Sequence, residues 1–260
     1  MEKAQRLMID IIRKESLLSM KITKKEQPRI LYGALLGDSY RRSRYKLEFR
    51  HTEKQKEYAM WKISFFKSIG IKCSFKDIGL KQTNYGEFHY YEGRIDISKY
   101  NSNIFDIMYD KNNKKIVPKR VIRDIHPIGL MIWFMDDGCL SIHVNKKRPT
   151  SISRQAFLNV QGFNRTSIMN IKTGLFEYWG IKTNLHKDRN NLRLYLSAKE
   201  FQKFIDIIRP YLKIIPKSMR YKFCMQYKKN SRNNSEELCE KYNLCKSING
   251  CNCNNRNVNQ

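Results

Sequence analysis

No apolar run in this chain approaches the roughly 18 residues that a membrane-spanning helix requires, so a helical membrane protein is excluded. Acid is also scarce. Against 51 Lys and Arg stand only 24 Asp and Glu, a net charge of +27 over 260 residues. That excess is far larger than solubility needs and implies a polyanionic partner, nucleic acid ahead of an anionic membrane surface, since the basic residues spread over the whole chain. The first twenty residues carry acids and lack both the uninterrupted apolar segment and the small-residue cleavage site of a secretory signal. The expected setting is therefore inside a cell: an organelle, mitochondrion or plastid, if encoded there, and otherwise bacterial or phage-infected cytoplasm. Cysteine is no framework either. The seven are odd in number, and positions 239, 245, 251 and 253 lack the paired CxxC spacing and accompanying histidine of a zinc cluster. They read as free thiols. What the chain has in quantity is core material, 41% hydrophobic residues, enough to fold without cross-links.

It also has an internal repeat. PRILYGALLGDS from Pro28 matches PIGLMIWFMDDG from Pro127 at an offset of 99, which pairs Asp38 with Asp137. At the same or nearly the same offset, RIDIS from Arg94 matches RLYLS from Arg193, and KIVPK from Lys115 matches KIIPK from Lys213. FFKSIGIK and LFEYWGIK match at a longer offset, with Gly70 and Gly180 as expected helix C-caps. Each copy reads helix, strand, strand, helix, strand, strand, helix, an α+β unit present twice. The expected divisions are an N-terminal extension over 1–27, halves over 28–120 and 121–228, and an Asn- and Cys-rich flexible tail over 229–260.

Strand patterning suggests which face meets the polyanion. After Asp38, Tyr45, Leu47 and Phe49 alternate with Arg42, Arg44, Lys46, Glu48 and Arg50, so period two sends the first set to a core and the basic set outward. LHKDRNNLRLYLS predicts a hairpin turning at Asn190 and Asn191, with Leu192, Leu194 and Leu196 on one side and Arg193 and Tyr195 on the other. Taken with Arg94, Lys187 and Arg189, these side chains compose a candidate DNA-contacting surface able to neutralise phosphates and read base edges.

Two aspartates at the ends of repeat-related helices suggest a shared site on a pseudo-twofold axis. Carboxylates gathered at negative helix ends repel unless a cation joins them, and Mg2+ (or Mn2+) suits oxygen ligands and phosphodiester hydrolysis. The offset selects Asp137 over Asp136, whose duty is left open.

LYGALLGDS and LMIWFMDDG resemble the two motifs of single-chain LAGLIDADG homing endonucleases, those of the mitochondrial omega-intron type among them. The likeness continues through NNKKIVP, LNVQGF and RPYLKIIPKSMRYK. It implies two pseudo-symmetric αββαββα halves, a saddle of antiparallel sheets, two packed central helices, and a monomer that cuts both strands of a long double-stranded DNA site. Carried over residue by residue, it implies Asp38 and Asp137 as metal-binding catalytic acids, Lys115 and Lys222 beside the scissile phosphates, and Gln161 as a supporting polar residue. Whether the lysines do more than touch phosphate stays open. One departure stands out: Gly33, Ala34 and Gly37 fit the small residues of a close helix contact, whereas the second motif has Ile132, Trp133 and Asp136. Asymmetric packing is therefore expected.

The same resemblance admits a maturase, which binds its host intron RNA and assists splicing, and a DNA-binding regulator that has lost cleavage. The intact pair of aspartates favours the nuclease over both. No intein splicing elements are expected at either end.

Overall fold

The computed structural model describes residues 21–100, 103–144, 152–189 and 191–223; Asn190, the tail cysteines and most of the N-terminal extension fall outside them. The first half runs α1 (Gln27–Leu36), β1 (Tyr40–Ser43), β2 (Lys46–Thr52), α2 (Lys56–Ser68), β3 (Cys73–Thr83), β4 (Gly86–Asp96) and α3 (Asn103–Met108). A short α4 (Lys119–Asp124) leads to α5 (Pro127–Asp137), β5 (Gly138–Val144), β6 (Ile152–Asn159), α6 (Arg165–Trp179), β7 (Asn184–Asp188), β8 (Asn191–Leu196) and α7 (Ala198–Ile208). Two 3-10 turns, Arg209–Ile214 and Lys217–Phe223, follow. Each half builds an antiparallel four-stranded sheet, in the orders β1-β2-β4-β3 and β5-β6-β8-β7. The two windings are the same, as the repeat requires. Among the described residues no helix is long and apolar enough to cross a membrane.

Local chemistry sets the helix limits. The His126 ring accepts the Ile128 N–H at 3.1 Å at the start of α5, and Asn164 Oδ1 accepts the Ser167 N–H at 2.8 Å at the start of α6. At the far ends of α2 and α6, Gly70 (φ +82) and Gly180 (φ +66) take the left-handed conformation. The following amides of Ile71 and Ile181 then return to Phe66 O and Leu175 O, both at 2.9 Å, so the matched GIK sequences are matched caps.

Each sheet packs one face on helices. Leu47, Phe49 and Ile95 are buried beneath the first sheet with Tyr58, Trp61 and Phe65 of α2; Ala156, Leu158, Leu194 and Leu196 lie beneath the second with Phe201 and Phe204 of α7. Tyr45 departs from the expected alternation. It sits in the turn between β1 and β2 and is exposed, because the turn breaks the period before β2 begins. The boundary expected at 120/121 falls inside α4, which packs on α6: Trp179 Nε1 donates to Ile122 O at 2.7 Å, and the Val117 N–H to Ser167 Oγ at 2.9 Å.

α1 and α5 meet at the centre. Every residue of α5 from Ile128 to Asp136 is buried, which explains its lack of a polar face. The backbones touch where two glycines oppose each other: a Cβ on Gly33 would fall 1.9 Å from Gly129 O, and one on Gly129 would fall 3.0 Å from Arg29 O. The second half thus supplies its small residue one turn before Ile132 and Trp133, the bulky residues that occupy the equivalents of Gly33 and Ala34. Gly33→Ala should destabilise the protein by about 2–3 kcal/mol or more, read as a lower urea midpoint. Gly162→Ala, where the added carbon meets nothing within 4 Å, should stay within about 0.5 kcal/mol.

Candidate active site

Asp38 lies in the turn after α1 and Asp137 is the last residue of α5, so the two helices deliver their acids to one end of the central contact. Burial raises the Asp38 carboxyl to about 6, helped by Asp136 and opposed by Lys62, Lys222 and Lys115. Burial likewise raises Asp137 to about 8, with Asp38 the next largest contributor and then Asp136. The paired carboxylates therefore hold protons at values where isolated ones would be ionised. A divalent cation accepting oxygen ligands would relieve that repulsion, so the donor set fits Mg2+ or Mn2+ with positions left over for water and phosphate.

The two lysines occupy unlike places in the sequence repeats yet converge in space. Lys115 Nζ donates to Gly37 O at 3.3 Å and to Ser39 O at 2.9 Å; Lys222 Nζ donates to Met135 O at 2.5 Å and to Asp136 O at 3.1 Å. Gly37 and Asp136 are the same position in the two repeats. Each ammonium thus neutralises the negative end of one central helix beside its aspartate. Burial lowers Lys115 to about 8, against the pull of Asp137, Asp136 and Asp38, and lowers Lys222 as well. Gln161 follows β6, with its amide 3.5 Å from Asn159 Oδ1, and makes no hydrogen bond to either aspartate among the described residues.

A second set of residues at this end has no counterpart in the motif reading. Asp136, side chain fully buried, receives the Lys62 ammonium at 2.7 and 2.8 Å, the Tyr58 hydroxyl at 2.6 Å and the Asp38 backbone N–H at 3.1 Å. His51, also buried, has Nδ1 3.0 Å from Gln55 Oε1 and 3.8 Å from Asp38 Oδ2. Burial, and then the Lys62 charge, push its pKa down to about 4, so the ring is neutral. Asp38, His51 and Asp136 bring ligand atoms within 4.8 Å of one another, but both Asp136 oxygens already hold an ammonium. That cluster is a protein ion pair rather than a metal cage. The sequence did carry a signal: Lys62 stands on the buried stripe of α2 with Tyr58, Phe65 and Phe66, where a charge demands a partner.

The outer faces of the sheets flank this end. On the first, Glu48 and Glu92 are buried beneath the arginines. Arg50 reaches Glu48 at 2.9 Å and Glu92 at 3.1 Å, Arg94 reaches Glu92 at 2.6 Å and Glu48 at 3.3 Å, and Arg42 lies 3.5 Å from Glu48. Tyr40 also donates to Glu48. The expected basic stripe is an Arg–Glu lattice that fixes each guanidinium, with a cavity of about 740 Å³ between Arg50, Lys76, Lys81 and Tyr90 alongside. Lys46 stands on the same face, across from Asp96, and Arg44 stacks on Tyr45 at 5.3 Å in the turn. On the second sheet Arg193 lies 4.1 Å from the Phe157 ring centre, and Tyr195 and His186 also pack on that ring. Lys187 is a correction. It is directly across from Leu192, so it sits on the face opposite Arg193, as period two dictates. Arg189 is exposed in the turn at φ 55.

The raised carboxyls set a pH dependence. Between the ordinary 3.8 and the shifted values of about 6 and about 8, the folded chain binds protons that the unfolded chain releases. The associated stability is complete below about pH 4 and is lost as pH climbs through about 6 and then about 8. In chelator, the melting temperature should fall chiefly between about pH 6 and about 8, because below that range the lowered His51, at about 4, offsets Asp38, and Mg2+ should restore most at the upper end. Asp137→Asn should flatten both trends.

Comparison with known proteins agrees with this geometry. The model of the LAGLIDADG DNA endonuclease family matches residues 28–204. Cytochrome b mRNA maturase bI2 of Debaryomyces hansenii is 24% identical over 208 residues, covering 76% of this chain and 73% of that protein. Probable intron-encoded DNA endonuclease 3 of Mycosarcoma maydis is 28% identical over 123 residues, covering 46% and 82%. Protein RecA of Mycolicibacterium flavescens is 22% identical over 216 residues, 79% of this chain but 48% of that protein, so the chain spans about half the length of such relatives. Among solved structures, the homing endonuclease I-WcaI bound to its DNA recognition sequence superposes with a TM-score of 0.60 at 20% identity, covering 85% of this chain and 98% of that one, a likeness of fold. With its repeat, its paired sheets and two motif helices that lead to Asp38 and Asp137, the chain belongs to the LAGLIDADG DNA endonuclease family.

Proposed function

We propose that this chain is a site-specific endonuclease that binds double-stranded DNA along the outer faces of its two sheets and hydrolyses one phosphodiester in each strand. The observation that carries this reading is the duplicated acid: Asp38 and Asp137 stand at repeat-equivalent positions, both have a raised affinity for a proton, and each has a lysine at its helix end. Two strands of a duplex are themselves related by twofold axes. One chain with two equivalent acids thus has one for each strand, as a monomer.

Asp38 and Asp137 would hold Mg2+ or Mn2+. Such an ion, when bound, activates water and offsets the charge that gathers on phosphate during hydrolysis. Lys115 and Lys222 contribute fixed positive charge beside each aspartate, and Lys115, lowered to about 8, can also exchange a proton near neutral pH. The Arg–Glu lattice holds Arg50 and Arg94 in one orientation, a favourable starting point for a directional contact to a base edge. Arg193 and Tyr195 supply the corresponding surface in the second half. The similarity to cytochrome b mRNA maturase bI2 over 76% of the chain supports a second reading, assistance to intron RNA splicing on the same fold.

Duplexes recovered by cleavage selection from a random pool with Mg2+ should share one long site. Asp38→Asn or Asp137→Asn should abolish double-strand cutting while binding persists, and Lys222→Met should slow it about 100-fold or more. Binding should weaken steeply with salt, since each phosphate contact releases a counterion. Splicing assistance without any cut duplex would establish the maturase reading instead.

A further inference from the structure

Gly37 and Asp136, the same position in the two repeats, touch each other. A Cβ on Gly37 would fall 2.2 Å from Asp136 Oδ2. The second repeat therefore places a side chain in the space that the first leaves open, and that side chain accepts the Asp38 backbone N–H at 3.1 Å. The hydrogen bond runs in one direction only, because glycine has nothing to offer Asp137 in return.

We propose that Lys62 is a positioning residue for Asp38 that acts through Asp136, so that the two acids are oriented by different means. This rests on the nuclease reading. Lys62 is fully buried and belongs to neither motif. Its ammonium reaches both Asp136 oxygens and lies 4.6 Å from the Phe49 ring centre and 5.3 Å from that of Tyr58, an enclosure of two aromatic faces and one carboxylate. A cation so enclosed fixes the carboxylate against rotation. The Tyr58 hydroxyl fixes the same carboxylate from another side, leaving Oδ2 aimed at the Asp38 amide. In α6, Lys172 stands at the corresponding distance from Gly180 but is only half-buried, and it forms no ion pair among the described residues. The strand served by Asp38 thus depends on a buried ion pair, and the strand served by Asp137 does not.

Removing one member would strand a charge and unfold the chain, so the test replaces both. Lys62→Met with Asp136→Leu removes the charges and the acceptor; Lys62→Met with Asp136→Asn removes the charges and keeps an acceptor. Hydrogen exchange at the Asp38 amide is read in the metal-free proteins, and strand-resolved nicking of an end-labelled duplex in Mg2+. Expected for the Met/Leu protein is a cooperative melt, Asp38 amide exchange faster by about tenfold or more, and a nicked intermediate with cutting of one strand slowed about tenfold relative to the other. The Met/Asn protein keeps an acceptor that no ammonium fixes and should recover only part of either reading; full return to wild type without Lys62 would overturn the proposal. Equal slowing of both strands, or Asp38 exchange unchanged in Met/Leu, would overturn the proposal. A wild-type protein that cuts no duplex would refute the nuclease reading, and the Asp38 amide would still decide whether Lys62 and Asp136 hold that backbone.

Discussion

The approach of two helix backbones at the centre of the molecule constrains everything around it. With Gly33 against Gly129 O, α1 and α5 meet without side chains between them, and their C-terminal ends are brought into one small volume. Each helix end carries partial negative charge and an aspartate, so the arrangement is electrostatically unfavourable by construction. The molecule answers with cations drawn from three other segments: Lys62 from α2, Lys115 from the segment after α3, and Lys222 from the last 3-10 turn. Asp38 and Asp137 nevertheless keep raised affinities for protons. Burial is the largest cause, and on the proposed reading a metal ion would take the place of those protons.

The sheets obey a related logic. A strongly basic outer face would repel itself if its cations were free, and in the first half Glu48 and Glu92 prevent this from beneath. Burial alone would favour the protonated form of Glu48, but the Tyr40 hydroxyl and Arg50, Arg42 and Arg94 outweigh it and hold its pKa below the usual value. The guanidiniums are thereby oriented before any partner arrives, which lowers the ordering cost of binding. The second sheet uses stacking on Phe157 for the same purpose.

Much of this was legible in the chain. An offset of 99 identified the repeat, the paired acids and, through the alternation of Leu and Arg in β8, the outer face of a strand. Local rules govern those features. Gly129 is not legible at the repeat equivalents of Gly33 and Ala34, because away from the twofold axis the crossing sets non-equivalent residues against each other. Lys62 escaped because its reason lies in Asp136, 74 residues away in the other half. Lys115 and Lys222 are paired only by the family resemblance, since the carbonyls that each one meets are defined by the fold and not by the spacing between them. Lys187 was misplaced by one strand position, enough in a pleated sheet to reverse its face.

The contact between Gly37 and Asp136 also bears on how such a chain can change over generations. Two copies of the first half, brought together about the same axis, would set glycine against glycine and leave the Lys62 ammonium enclosed without an anion. Two copies of the second would drive carboxylates into the space where even a single Cβ comes within 2.2 Å of one. Neither half can pair with itself as it pairs with the other.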